Sequence, residues 1–379
     1  MLIGIPQLRP PGSGPLLRIA FFSPELPSIG GSNGIITYCR IMRDALRDLG
    51  HSVMIVSASH VEHFDGRIAE LPRPSAWNRL RGRRYQDNFA AILNAFDAAR
   101  ACGAQVFEIE ESFGWAGRLK GLPIIARLHG PNAFCPDFHD SRRETAEFAS
   151  LRKVDAITSP SARLLDAVRH RYPQKLPPAF VIPNPMPSPA ETWRLDSADP
   201  EQILFVGRFD TRKGADIAIE AFAKARERRP SLKMVMVGPG EPWMDIPPSV
   251  TVLGALSGAE VTALRLQSSL ALSTSRFENF PYSLAEAMAI GSPVLAADSF
   301  GVGEMIRDGI DGRLVPVADA DATAEGIVEM LADPSKLAKM GEAAALRVSE
   351  YMSPSRIASQ TAELYADLCF SPAERMADV

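Results

Sequence analysis

The chain has 379 residues, 46% of them hydrophobic and 23% charged, with a formal net charge of −4. Such a length exceeds one ordinary α/β core and suits two domains of about 180 residues each. The slightly acidic balance argues against a general nucleic-acid binder, and no run reaches the roughly eighteen apolar residues of a membrane span.

Residues 1–16 open the chain as a flexible tail: Met1–Pro15 is rich in Pro and Gly and lacks the basic start and unbroken apolar core of a signal peptide. Leu17–Phe22 reads as a buried strand, followed by a glycine loop, Ser28–Gly34, and an amphipathic helix from about Ile35 to Leu49. The loop glycines lack the G-x-G-x-x-G order of a dinucleotide site, and a permissive strand-to-helix turn accounts for them as well. After a strand over Ser52–Ser57 comes an irregular region. Within it Trp77–Tyr85 concentrates arginines between two aromatics. Such a run usually covers a solvated surface; read functionally, it is an acceptor or membrane-surface patch.

Strands at Gln105–Ile109 and Pro123–Leu128 follow, the second ending in His129-Gly130. A lone histidine after a strand is most often structural, yet the carboxyl ends of strands are where open α/β sheets bind ligands. Cys135, Asp137 and His139 just beyond match no zinc spacing. The four cysteines, Cys39, Cys102, Cys135 and Cys369, are scattered, which favours reduced thiols in a cytosolic setting. A strand at Val154–Thr158, a helix from Ser161 to about His170 and the segment Phe180–Asn184 complete a first domain over 17–184. The proline-rich stretch that follows reads as a linker over 185–200.

A second βαβ series opens at Ile203, with strands near Lys233–Val237, Val250–Leu253, Leu270–Leu272 and Pro293–Ala296, and fills a second domain over 201–350. Its first strand ends in Gly207, and Arg208 and Lys213 leave that strand's carboxyl end. Thr274–Ala297 reads as loop, helix and buried strand, with Pro281 at the first helical position and Gly291 at the stop. Glu278 falls in the loop and Glu286, eight positions on, inside the helix. The free amides and positive dipole end of such a helix start seat a phosphate. Two cations and two carboxylates near strand ends describe a nucleoside diphosphate sugar.

Four motifs come in one order: strand-Gly-Arg-x5-Lys-Gly, Val237-Gly-Pro-Gly, E-x7-E-Ala-Met-Ala-x-Gly-x-Pro-Val, and Asp308-Gly-Ile-Asp-Gly-Arg-Leu-Val315. With them the chain resembles the GT-B glycosyltransferases, specifically the retaining family 4 type with its E-x7-E signature, over about Arg18 to Ala366. The resemblance implies an α/β fold of two Rossmann-like domains facing across a cleft, the first on the acceptor side and the second holding the donor. A terminal helix over 351–379 is expected to cross back onto the first domain. The implied reaction moves a hexose-type sugar from a nucleoside diphosphate sugar to a glycan or lipid-linked acceptor, with no cofactor and no metal, in surface polysaccharide or glycolipid synthesis.

The resemblance also implies roles. Arg208 and Lys213 neutralise the diphosphate, Gly30 and Gly31 approach it, and Glu286 accepts from the ribose. Glu278 and His129 face the transferred sugar as the catalytic pair, and Asn279, Phe280 and Tyr282 offer backbone contacts to sugar or phosphate. Pro131–Asp140 would line the acceptor. The protein is expected in the cytoplasm, with peripheral contact at the inner membrane surface through Trp77–Tyr85. Asp319-Ala-Asp321 spells the D-x-D metal signature of the other major glycosyltransferase fold, but it stands where a helix begins and suits an N-cap. One departure is Pro281, where the family commonly has Gly, which removes an N–H from the donor loop. The alternatives are a nucleotide-sugar epimerase of the same fold, for which no acid or base residue stands out, and a non-catalytic nucleotide-sugar-binding partner.

Overall fold

The computed structural model describes residues 15–29, 33–73, 88–135, 139–241 and 244–370. The first sheet has eight strands: β1 (Arg18–Phe22), β2 (Ser52–Val56), β3 (His60–Glu62), β4 (Ile68–Glu70), β5 (Val106–Glu110), β6 (Ile124–Arg127), β7 (Ala156–Ser159) and β8 (Ala179–Val181). Their order is β4-β3-β2-β1-β5-β6-β7-β8, parallel except for β3 and β4, which form an antiparallel edge hairpin. The second sheet is parallel throughout, in the order β11-β10-β9-β12-β13-β14. It comprises β9 (Asp199–Val206), β10 (Lys233–Val237), β11 (Val250–Leu253), β12 (Ser268–Ser273), β13 (Val294–Ala297) and β14 (Arg313–Val315). The inner strands β5, β6, β7, β10 and β13 are buried along almost their whole length because both faces are covered, and β10 and β13 read as apolar runs.

Among the described residues the α-helices are α1 (Gly34–Asp48), α2 (Phe89–Ala101), α3 (Ser141–Leu151), α4 (Ala162–Arg171), α5 (Ala215–Arg228), α6 (Gly258–Gln267), α7 (Tyr282–Ala289), α8 (Val302–Met305), α9 (Ala320–Ala332), α10 (Pro334–Tyr351) and α11 (Pro354–Cys369). Side chains set several starts: Asn33 accepts from the Ile36 amide at 2.9 Å, and Asp319 from the Ala322 amide at 2.8 Å. The D-x-D is thus a helix cap, with Asp321 turned outward to Lys224.

α11 lies against α1, and Ile357, Ala358, Ala362 and Tyr365 join Tyr38, Ile41 and Met42 in one apolar cluster. The same cluster takes in Phe280, Tyr282, Leu284 and Met288 from the second half, so the two sheets share a core. Tyr365 anchors the returning helix: its hydroxyl donates to Glu108 Oε2 at 2.6 Å on β5, and both side chains are buried.

Three local expectations are corrected. The region after Ser57 is not wholly irregular, because β3 and β4 extend the sheet as segments too short to show alternation. The stretch read as linker ends inside β9, whose polar start Asp199–Gln202 continues to pair with neighbouring strands through a register shift at Ser268. Pro281 caps α7 instead of opening it, with ψ at 114°, and Tyr282 is the first helical residue. Tyr365→Phe should lower the unfolding free energy by about 1–3 kcal/mol, the cost of a buried carboxylate losing its donor; urea denaturation of parent and variant measures it.

Candidate active site

In the second sheet the strand order reverses between β9 and β12, so the loops that leave their carboxyl ends diverge and open a crevice. The loop after β9 is stitched to the loop after β12. Arg276 N donates to Arg212 O at 2.8 Å, and Thr274 Oγ1 to Gly214 O at 2.7 Å. Gly214 caps α5 with φ at +67°, and a Cβ there would lie 2.1 Å from Thr274 O, so only glycine fits. This close approach delivers Lys213 to Glu278. The Lys213 ammonium pairs with Glu278 Oε1, and Arg212 donates to the same oxygen at 3.2 Å. The Glu278 side chain is 9% exposed and those of Lys213 and Arg212 are 16% and 25% exposed, so the cluster is largely withdrawn from water while its cations keep some contact with it.

Glu286 lies on α7 and accepts from Arg265 at 2.7 Å. Arg265 is 4% exposed and also donates to Ser283 O, so a buried guanidinium on α6 orients a carboxylate that stays half-open to solvent. Arg208 is not drawn to the Lys213–Glu278 pair. Its side chain is 63% exposed and leans on Asp210 at 3.4 Å.

Asn279 is turned to the first half of the chain. Its Nδ2 donates to Leu128 O and its Oδ1 accepts from Ser161 Oγ, both at 2.9 Å. Phe280 and Tyr282 are buried in the shared core. Those three side chains are therefore engaged by protein, and their backbone alone is left to face a ligand.

His129 follows β6. Its amide and that of Gly130 donate to the two oxygens of Glu111 at 2.9 and 2.8 Å, and its ring stands edge-on to Tyr38 at 5.5 Å. Burial first, and the nearby Arg127 second, push the imidazole down to about 3, so it is neutral at physiological pH. Gly130 faces the Phe277 ring, next to Glu278, which brings the histidine loop against the glutamate loop.

A seam of polar contacts continues from there. Glu304 accepts from the Ala162 and Arg163 amides at the start of α4 at 3.0 and 2.7 Å, and Arg163 pairs with Asp298. A crevice of about 320 Å³ beside the seam is lined by Arg163, Arg276, Asp298, Ser299, Phe300 and Val317.

Gly30 and Gly31 lie outside the described residues, as do Trp77–Tyr85 and Asp137. Cys135 and His139 have separate partners, Gly130 O and Glu144, and among the described residues no group of three metal-type ligands occurs. Sequence reasoning missed Arg212, Arg265 and Glu111. Arg212 adjoins the lysine of a motif, the one signal that pointed to any of them.

Asn279→Ala would take the side-chain donor from the Leu128 carbonyl and the acceptor from the Ser161 hydroxyl in a buried seam, leaving Ser161 only the Leu164 amide that it caps. A loss of about 1–3 kcal/mol of stability is expected, and thermal and urea unfolding would measure it.

Comparison with known proteins places this geometry. Residues 32–187 match the model described as Glycosyltransferase Family 4, and residues 190–347 that of Glycosyl transferases group 1. The chain is 32% identical to the phosphatidyl-myo-inositol mannosyltransferase of Mycolicibacterium smegmatis over 363 residues, 88% of this chain and 90% of that one. In fold it is similar to sucrose-phosphate synthase from Thermosynechococcus elongatus, with a TM-score of 0.78 at 22% identity over 93% of this chain and 99% of that one. It is also similar to Anabaena HepE in complex with UDP-glucose, with a TM-score of 0.68 at 17% identity over 93% and 100%. Two largely parallel sheets, two family models that together span most of the chain, and a mannosyltransferase relative matched nearly end to end make one conclusion: the chain belongs to the GT-B glycosyltransferases of family 4 type and is a glycosyltransferase.

Proposed function

We propose that the enzyme transfers a hexose-type sugar from a nucleoside diphosphate sugar to a glycan or lipid-linked acceptor, with retention and without a metal. The observation that carries the reading is the buried Glu278 carboxylate bracketed by Lys213 and Arg212 at the switch point, beside the start of α7. As the bond from sugar C1 to phosphate oxygen breaks, negative charge grows on the β-phosphate. Lys213 and Arg212, with Arg208 swinging in from the same loop, neutralise it, and the amides of the α7 start add their dipole. Glu286, held by Arg265, accepts from the ribose hydroxyls. Glu278 accepts from the transferred sugar and fixes C1 against the acceptor. His129, neutral and aimed from the opposite loop, is the hydrogen-bonding partner on the sugar's other side. Neither Glu278 nor His129 is a nucleophile; the leaving phosphate itself takes the acceptor proton.

In this reading residues 17–184 form the acceptor side and 201–350 the donor side, joined by the stretch before β9 and by the returning helix α11. Gly30 and Gly31 approach the diphosphate. The UDP-glucose complex of HepE supports the donor class, and the M. smegmatis relative, named for a phosphatidyl-myo-inositol acceptor, supports a lipid-linked one. Surface polysaccharide or glycolipid synthesis in the cytoplasm follows. Among the described residues no helix is long and apolar enough to cross a membrane, and contact with the bilayer is assigned to Trp77–Tyr85.

The first test is thermal stabilisation by UDP, GDP and ADP, with and without EDTA. One nucleotide at a hundred times its dissociation constant should add about 2.7 kcal/mol, unaffected by the chelator and lost in Glu286→Ala. Stabilisation by none of the three would sink the donor assignment. Lys213→Ala should lower kcat by about 10²–10³-fold, as expected for removing one preorganised charge from a developing oxyanion, measured in steady-state transfer assays.

A further inference from the structure

Glu111 directly follows β5, and its backbone N–H continues the sheet ladder to Arg127 O at 3.2 Å. Its side chain is 1% exposed. Buried carboxylates need compensation, and Glu111 draws it from two backbone amides, one to each oxygen: His129 N and Gly130 N. A second buried carboxylate, Glu147 on α3, holds the next stretch in the same way, accepting from Asn132 N at 2.9 Å and Phe113 N at 3.2 Å. The loop after β6 therefore hangs from two carboxylates. Arg143, the nearest cation of α3, is bonded to Glu147 at 2.8 Å, which leaves Glu111 to the amides.

We propose that Glu111 is a positioning residue for the transfer reaction: its carboxylate clamps the His129 and Gly130 amides and so aims the His129 imidazole at the donor sugar. The inference rests on the donor-site reading above and deepens it. The geometry admits little slack. The imidazole is fixed on one side by the Tyr38 ring, and Gly130 abuts Phe277, the neighbour of Glu278. A tilt of the 129–130 peptide therefore moves the histidine relative to the glutamate that holds the same sugar.

The clamp is a proton-dependent device. An ionised carboxylate offers acceptor lone pairs on both oxygens; a protonated one turns one oxygen into a donor and can serve only one amide well. Burial first, then Glu147, with Glu110 adding to it, raise the Glu111 carboxyl from 4.5 to about 8, against the two amides, which lower it. The groups facing this region are Glu110 at the end of β5, Glu147 and Arg143 from α3, His129 itself, Cys135 beyond it in the loop, and Arg212 from the second half of the chain. In the parent the clamp is thus half-released near pH 8 and fully formed above it. The sign for stability is the opposite one. The folded state keeps a proton that the unfolded chain gives up above about pH 4.5, so stability falls between about pH 4.5 and 8.

Glu111→Gln mimics the protonated form at every pH. Parent kcat should rise through about pH 8 to a plateau, and the variant should stay flat at the low-pH level. At pH 9 the variant's kcat should be about ten- to a hundredfold lower, with the donor KM within about twofold. The parent alone should lose stability between pH 4.5 and 8. Glu111→Asp, which keeps the charge but is one methylene too short to reach both amides, should retain the pH dependence at reduced kcat. His129 ring resonances, assigned with His129→Gln, should shift between parent and Glu111→Gln. Superimposable pH profiles of parent and Glu111→Gln, or unmoved His129 resonances, would overturn the proposal whatever the nucleotides do. Stabilisation of Glu111→Gln by the same nucleotide as the parent separates a failed clamp from a failed donor site.

Discussion

The site depends on one electrostatic constraint. Glu278 is buried, and a carboxylate so far from water is tolerable only with charge partners in contact. Lys213 and Arg212 reach it because the loop after β9 lies against the loop after β12, which requires the left-handed glycine at 214 and the absence of a Cβ there. The ion pair is therefore a product of backbone packing at a switch point. Breaking it on one side would leave a buried charge alone, so the two loops must be kept in register for the site to exist. Much of the second sheet's construction serves that register. β9 and β12 are neighbours along nearly their whole length, and the buried apolar side chains of α5 lock the first loop from behind.

The elements that carry this site were legible from residue patterns because each writes a local signature. Most of the second sheet's strands carry a short apolar run, the strand-Gly-Arg-x5-Lys-Gly segment marks a strand end, and E-x7-E spans a loop and a helix. Arg265 and Glu111 were not legible. Arg265 stands on a short helix with little apolar patterning, and Glu111 follows a strand among other acids, with nothing in either stretch to show a side chain turned inward. Both meet the proposed site residues only through contacts between residues far apart in the chain, Arg265 with Glu286 and Glu111 with His129. Arg208 illustrates the converse: the motif names it, yet its long side chain is exposed and leans on Asp210, apart from the Lys213–Glu278 pair.

Asn279 shows how closely the halves are joined beside the crevice. It adjoins Glu278, and both ends of its amide are bonded to the first half, at the end of β6 and the start of α4. Glu304 caps the same helix start from the second half. Around these bonds the apolar cluster shared by α1, α7 and α11 is continuous. Any opening of the cleft must therefore turn about this seam or break it, because its buried polar groups have no water to fall back on. A pivot next to Glu278 would keep the donor loop's position nearly constant while parts more distant from the seam travel furthest.

The neutrality of His129 has a structural origin that bears on its proposed role. Arg127, two residues earlier on β6, is 1% exposed and is held by Ile182 O, Asn184 Oδ1 and the Tyr38 ring at 4.2 Å. A fixed positive charge that close disfavours a second one, and burial works in the same direction. An imidazole so placed has one N–H and one lone pair at every physiological pH. It can hydrogen-bond a sugar hydroxyl but cannot serve as a cationic acid. A retaining transfer in which the departing phosphate accepts the proton needs no such acid. What it needs is a sugar held rigidly from two sides, and in the reading proposed above that rigidity comes from the carboxylates beneath the two loops, Glu111 on one side and Glu278 on the other.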